Sequence, residues 1–418
     1  MLKEFPHYHY DSPVKDAHVQ SLVEFFQSGC VTRDNYGIGV EIEHLPVRVG
    51  TDEAIGYTDE HGIRDVLNDL APLYDESREY YEDGHLLGLG RGKIAISLEP
   101  GAQIECSLGI LDSAAELNEV YAQFRRDIDP ILEKHGIRLI NYGYTPRSRA
   151  HDLSVIPKRR YDVMTAYLGR LSAYGWNMMR ASASTQISLD FSSEDDAITK
   201  MRMGTAVGPI LAYLFRNTPY FEGAANGLPL LRQHMWEGIG TGRTGVIPGL
   251  YDSNFDFEKA AVNVLATPLM VADTTHTPEA GEGSVYMASY ETAADVYPDR
   301  ALNVYEMNHI ISTQFTDVRL KNFVELRHWD SLPIDRARVL ADIVVSLFNR
   351  ADEMERLKTY FDGLTALDVQ AAKYELQTQG RNAKPYGASL DFWREFLHAE
   401  YTGEDIPGDP LNLEVGQE

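Results

Sequence analysis

Residues 93–107 read KIAISLEPGAQIECS, and their alternation decides the fold class. Ile94, Ile96 and Leu98 point one way while Ser97 and Glu99 point the other, the two-residue period of a strand with one apolar face. Pro100 and Gly101 mark a turn, after which Ile104 and Cys106 oppose Gln103 and Glu105. The stretch predicts a hairpin that carries two glutamates where uncharged groups are easier to bury.

Three further segments repeat the pattern. In GIGVEIEHLPV (37–47), Ile38, Val40 and Ile42 share a face and leave Glu41 and Glu43 together on the other. In STQISLDF (184–191), Ile187, Leu189 and Phe191 oppose Gln186, Ser188 and Asp190. In VRLKNFVELRHWD (318–330), Leu320, Val324 and Leu326 oppose Arg319, Lys321, Glu325 and Arg327. Four strands with one apolar and one polar face predict an antiparallel sheet. The polar face has two readings. It is the solvated side of the sheet, or its carboxylates converge and repel, in which case a hard cation makes the arrangement stable. Mg²⁺ suits the second reading, because it is held by a few carboxylates together with substrate phosphates. The pattern alone leaves both open.

Helices are read from the 3.6-residue period. DSAAELNEVYAQFRRDIDPILEKHG (112–136) has an apolar stripe of Leu117, Val120, Tyr121, Phe124, Ile128 and Ile131, a capping box at Ser113 and Glu116, and Gly136 as its stop. A second helix runs from about Glu194 to Phe215 with Pro209 inside it as a kink, and a third amphipathic region covers 335–354. Residues 273–300, rich in Gly, Thr and Pro, read as a surface loop or as a cover for a site. No repeat or long linker divides the chain, so one catalytic domain over 1–402 is expected, followed by an acidic tail at 403–418.

Composition narrows the function. The 418 residues hold 63 acidic against 38 basic side chains, a net charge of −25 that repels nucleic acid and anionic membrane surfaces. An anionic substrate then has to arrive with a cation or meet a local basic pocket. Cys30 and Cys106 have no metal-ligand spacing and read as buried thiols of a reducing, cytoplasmic setting. No apolar run has the length of a membrane span. The stretch GLGRGKI (88–94) fails the phosphate-loop pattern. GIGTGRTG (238–245) spells GxGxxG without a strand before it, and is better read as a glycine-rich loop offering Arg243 and Thr244 to a phosphate. No Ser-His-Asp or Cys-His nucleophile arrangement stands out.

Taken together, GVEIEHL, SLEPGAQIECS, IPKRRYDVM, TQISLDFSSEDD, NTPYFEGAANGLPLLRQHMW, GRTG and VRLKNFVELRHWD resemble the plant and proteobacterial branch of the glutamate-cysteine ligase family, in order from about residue 36 to about 350. The resemblance implies an α+β fold with a glutamine synthetase-like core, a curved antiparallel sheet with the active site on its polar concave face and helices on the apolar one. It implies ATP-dependent joining of glutamate to an amine, cysteine being the favoured acceptor, in a monomer or homodimer. Glu41, Glu43, Glu99 and Glu105 correspond to family residues that hold Mg²⁺ around the ATP phosphates, with Gln186 and Glu325 completing the cluster. Arg160 and Arg232 match carboxylate clamps, Trp236 and Gln103 the amino-acid pocket, and Lys321 and Arg327 the groups that neutralise the transferred phosphoryl. The chain departs from plant members at ELRHWD, where they have Gly-Ala-Asp after the Arg, and in the 278–298 insertion. A different amine acceptor, or a kinase of the same superfamily, remains open on these residues.

Overall fold

The computed structural model describes residues 12–239 and 243–399; the acidic tail and two glycines of the GxGxxG stretch, Gly240 and Gly242, lie outside them. Nine strands form one antiparallel sheet. They are β1 (Ile38–Arg48), β2 (Tyr80–Glu82), β3 (His85–Arg91), β4 (Ile94–Leu98), β5 (Ile104–Leu111), β6 (Ile137–Ile140), β7 (Ser184–Leu189), β8 (Val318–Leu320) and β9 (Val324–Asp330). Their order is β8-β9-β7-β1-β5-β4-β3-β2, with β6 paired to the far end of β1.

Register makes the polar face continuous. Along β1, Glu43 lies opposite Glu105 of β5, and Glu41 lies between Ser107 of β5 and Gln186 of β7. Glu105 also faces Ser97 of β4, while Glu325 of β9 faces Arg319 of β8. A one-residue slip in any pair would send these groups to the apolar side. On that side Ile38, Val40, Ile42, Ile94, Ile96, Ile104, Ile187 and Leu326 are all buried. The Glu194–Leu214 helix packs there: the α-hydrogens of Gly204 face Leu326, and an added Cβ would come within 2.6 Å of its Cδ2. One hydrophobic cluster includes residues from Leu22 to Ala399. The antiparallel sheet with one apolar face expected from the alternation is present, as is the α+β class that the resemblance implies.

Several local expectations need correction. Ser113 is the N-cap residue of the Ala114–His135 helix, but its side chain makes no cap bond. Glu116 instead accepts from Lys93 Nζ at 2.7 Å and from the Asp112 N–H, so the lysine replaces the capping box. Gly136 does close the helix, at φ 67°. Pro209 lies inside the second helix without ending it, and the third region splits at Arg350 into Ile334–Asn349 and Ala351–Tyr360. Cys30 is exposed, and only Cys106 is buried. Residues 273–300 are folded. Val285–Met287 pairs with Val271–Asp273, and Arg300 binds Glu279 at 2.7 Å and Glu306 at 2.8 Å. None of these residues lines the recess on the polar face of the sheet. No helix among the described residues is long and apolar enough to cross a membrane.

Candidate active site

The polar face opens on a recess of about 260 Å³. Its floor is the hairpin that opened the sequence reading. Gly101 packs so tightly that an added Cβ would lie 2.0 Å from the backbone oxygen of Arg180, which is why the turn requires glycine. Gln103 secures the same turn, accepting from the Gly101 N–H at 2.7 Å and donating to Ser182 O at 2.8 Å. Its amide lines the recess, yet both ends are committed to the backbone.

Glu43, Glu99 and Glu105 each bring a carboxylate oxygen to within 4.8 Å of the others. Glu43 accepts from the Ser184 N–H and hydroxyl, both at 2.7 Å, and from Gln186 Nε2 at 3.2 Å. Glu105 accepts from Ser97 Oγ at 2.7 Å and Ser107 Oγ at 3.2 Å. Burial, followed by the charge of Glu43, raises the Glu99 pKa to about 7, and burial with Glu99 and Glu43 does the same for Glu105. Burial, Glu105 and Glu325 raise Glu41 to about 8. Such groups fit a divalent cation: oriented oxygen ligands whose mutual repulsion a positive ion would relieve.

Glu325 sits differently. It is fully buried and accepts from Arg319 Nε at 2.7 Å, Arg319 Nη2 at 3.0 Å, Lys321 Nζ at 2.9 Å and Arg327 Nη1 at 3.0 Å. Burial opposes its charge, but Arg319, Arg327 and Lys321 outweigh it and hold the carboxyl well below the usual range. Arg327 Nη1 also donates to Gln186 Oε1, so the amide spans the acidic and basic halves. The ladder between β9 and β7 is interrupted from Leu326 to Trp329, and the Arg327 N–H turns to Asp317 O at 3.0 Å. A break of this kind beside a site re-aims a side chain.

At another wall, Arg160 donates to Ser312 Oγ at 3.1 Å, and Arg232 to Arg327 O at 2.7 Å. Trp236 packs against Phe315 with centroids 4.7 Å apart and ring planes inclined by 45°, and Arg232 lies 5.8 Å from the Trp236 ring. Arg160 Nε, Arg232 Nε and Trp236 Nε1 are buried with no protein acceptor, as at a wall that receives an anionic ligand.

Eleven of the fourteen residues expected from sequence line this recess. Glu325 is buried behind its wall and meets it through its bonds to Arg319, Lys321 and Arg327. Arg243 and Thr244 do not line it. Arg243 is buried, donating to Thr313 O at 3.1 Å and to Pro268 O, while Thr244 bridges to Phe315. The backbone carbonyls around Arg243 take the guanidinium that a phosphate would otherwise use. Among the contributors with no earlier place in the site are Arg319, Met178 and Met179 in its lining, and Ser97, Ser107 and Ser184, which orient the carboxylates. Alternation already puts Arg319 on the correct face; the methionines lie on a helix of only seven residues, Gly175–Ala181, too short for a period.

An antiparallel sheet that gathers opposed carboxylates and cations in one recess defines a catalytic scaffold. Residues 37–382 match the family Glutamate-cysteine ligase family 2 (GCS2), and the chain belongs to it. It is 32% identical over 342 residues to the chloroplastic glutamate-cysteine ligase of Arabidopsis thaliana, covering 81% of this chain and 64% of that protein. Against the chloroplastic ligase A of Oryza sativa subsp. japonica the figures are 31% over 342 residues, 81% and 68%. This chain thus spans about two thirds of their length. Among solved structures it is similar to a Francisella tularensis glutamate-cysteine ligase in complex with AMP, with TM-score 0.47, 12% identity and coverage of 90% of this chain and 80% of that one.

Proposed function

We propose that the protein is an ATP-dependent glutamate-cysteine ligase, forming γ-glutamylcysteine as a step toward a low-molecular-weight thiol such as glutathione. The observation that carries this reading is the division of the polar face into a cluster of converging carboxylates and a basic cluster around Glu325. A carboxylate is a poor acylating agent because oxide leaves badly. The glutamate γ-carboxylate therefore attacks the γ-phosphorus of ATP, releasing ADP and leaving a γ-glutamyl phosphate. The amine of cysteine then attacks the acyl carbon, phosphate departs and the amine gives up a proton.

Each step needs charge neutralised and reactants aligned, which is what this set of residues provides without a nucleophilic side chain. Glu41, Glu43, Glu99 and Glu105 would hold Mg²⁺, with Gln186 and Glu325 at its border; the ion supplies neutralisation of phosphoryl charge. Lys321 and Arg327 face the transferred phosphoryl, and their positions are set by Glu325. Arg160 and Arg232 receive carboxylates through the N–H groups left without a protein partner, and Trp236 walls the amino-acid site. Residues 1–402 act as one catalytic domain. We assign the work to the cytoplasm on the free state of Cys30 and Cys106.

The test is ADP release by purified protein with Mg²⁺, ATP and glutamate against a panel of amines, with products weighed by mass spectrometry. Cysteine-dependent ADP release with a γ-glutamyl dipeptide supports the ligase. ADP release with a phosphorylated product and no amine consumed replaces it with a kinase.

A further inference from the structure

Away from the recess, two histidines meet at the surface. His135 ends the Ala114–His135 helix and is 8% exposed; His61 stands exposed in the turn before the Ile63–Leu70 helix, at φ 53°. Their Nδ1 atoms lie 3.4 Å apart, with ring centroids at 5.5 Å and planes inclined by 48°. His135 Nε2 is 2.7 Å from Asp69 Oδ2, and Lys134 Nζ is 2.6 Å from the same oxygen. None of these residues lines the recess.

We propose that His61 and His135 form a binding site for a divalent transition metal of the zinc type, with Asp69 positioning His135 and water filling the remaining coordination. A plain N–H···N bond between the rings is the alternative, but 3.4 Å is long against the usual separation of about 3 Å. The same distance matches the edge of a tetrahedral site: two Zn–N bonds of about 2.05 Å at the tetrahedral angle put their nitrogens about 3.3 Å apart. Orientation agrees. In the tautomer whose Nε2–H donates to the Asp69 carboxylate, the Nδ1 lone pair of His135 is left on the side of His61. A metal-binding imidazole with its other nitrogen on a carboxylate is the recurrent way such a ligand is aligned. Lys134 does not oppose a cation here as a free charge, because it is paired with Asp69. Ligand type separates this site from the recess, since imidazole nitrogen suits zinc-type ions and clustered carboxylates suit Mg²⁺. A bound metal would tie the His61 turn to the end of the long helix.

The experiment titrates the full-length protein with Co²⁺ in the presence of a large excess of Mg²⁺, following the visible absorption of four-coordinate cobalt. The native protein and Glu105→Ala are expected to take up Co²⁺ alike, with Zn²⁺ displacing it. His61→Ala and His135→Ala are expected to abolish the signal, and Asp69→Asn to weaken apparent affinity by 10-fold or more. His61 is exposed, so its loss leaves the fold and the Mg²⁺-dependent turnover unchanged. No Co²⁺ uptake by the native protein, uptake that persists in His61→Ala, or uptake lost in Glu105→Ala would each overturn the proposal. The readout does not involve turnover and stands whether or not the ligase reading does.

Discussion

Glu105 and Glu325 are the same residue type on the same face of the same sheet, yet burial acts on them with opposite outcomes. Glu105 meets two serine hydroxyls and two other carboxylates, and its pKa rises to about 7. Glu325 is the more enclosed, but three cations surround it and its pKa falls well below the usual value. Partners rather than depth set the charge state. The recess is therefore polarised before any ligand enters, with one half short of a cation and the other rich in them.

The largest expected effect breaks the acidic half. Glu105→Ala or Glu41→Ala is expected to lower turnover by roughly 10³-fold or more, as loss of a preorganised electrostatic group does, while circular dichroism stays native because both side chains face the recess. Near-normal turnover in both variants would remove the carboxylate cluster from the chemistry. Next comes the basic half. Glu325→Gln leaves Arg319, Lys321 and Arg327 without their shared counter-charge, and breaking a buried pair in this way costs about 3–5 kcal/mol. Urea unfolding of Glu325→Gln against the native protein checks it, and an unchanged midpoint would mean that the three cations find other partners. A smaller effect sharpens the boundary of the site. Arg243→Lys is expected to lower stability through lost carbonyl contacts while the KM for ATP changes less than about twofold; a large rise in KM would return Arg243 to the nucleotide.

The difference between what was readable and what was not follows the same division. Alternation assigns a strand residue to a face from sequence alone, so Glu41, Glu43, Glu99, Glu105 and Glu325 are each placed on the polar side of their own strand, while strand pairing decides that those sides converge. What alternation cannot supply is the partner. The Glu325 cage depends on the β8–β9 register, and the tautness of the Pro100 turn depends on Arg180, which is distant in sequence. Gln103 and Arg243 show the limit from the other side. Both are polar residues in plausible loops, and both spend their hydrogen bonds on backbone groups that only the folded chain brings to them. The Ser113 box fails for a related reason, since Lys93, in the turn between β3 and β4, takes the carboxylate that the helix start would use.

The last and smallest effect joins the acidic half to pH. Glu41, Glu99 and Glu105 have folded pKa values of about 8, 7 and 7, all above the ordinary glutamate value near 4.5. Between that value and about 8, each of these three carboxyls, without metal, holds more protons folded than unfolded. Their contribution to stability therefore falls as pH rises through this window, the reverse of what a salt-bridged carboxylate such as Glu325 contributes. On the proposed function, Mg²⁺ would compete with those protons and bind the ionised form, so its stabilisation is expected to grow with pH. Thermal melts at pH 7 and pH 8.5 with and without Mg²⁺, above the range in which His18, His44, His309 and His328, each lowered by burial, differ most between the folded and unfolded states, are expected to show a lower metal-free Tm at the higher pH and a larger Mg²⁺-induced rise there. At a concentration about 100 times Kd that rise corresponds to about 2.7 kcal/mol. Glu105→Ala should flatten both trends, because it removes one titrating group and relieves the repulsion on Glu41. A Mg²⁺ effect equal at the two pH values would show that the ion binds somewhere other than these carboxylates.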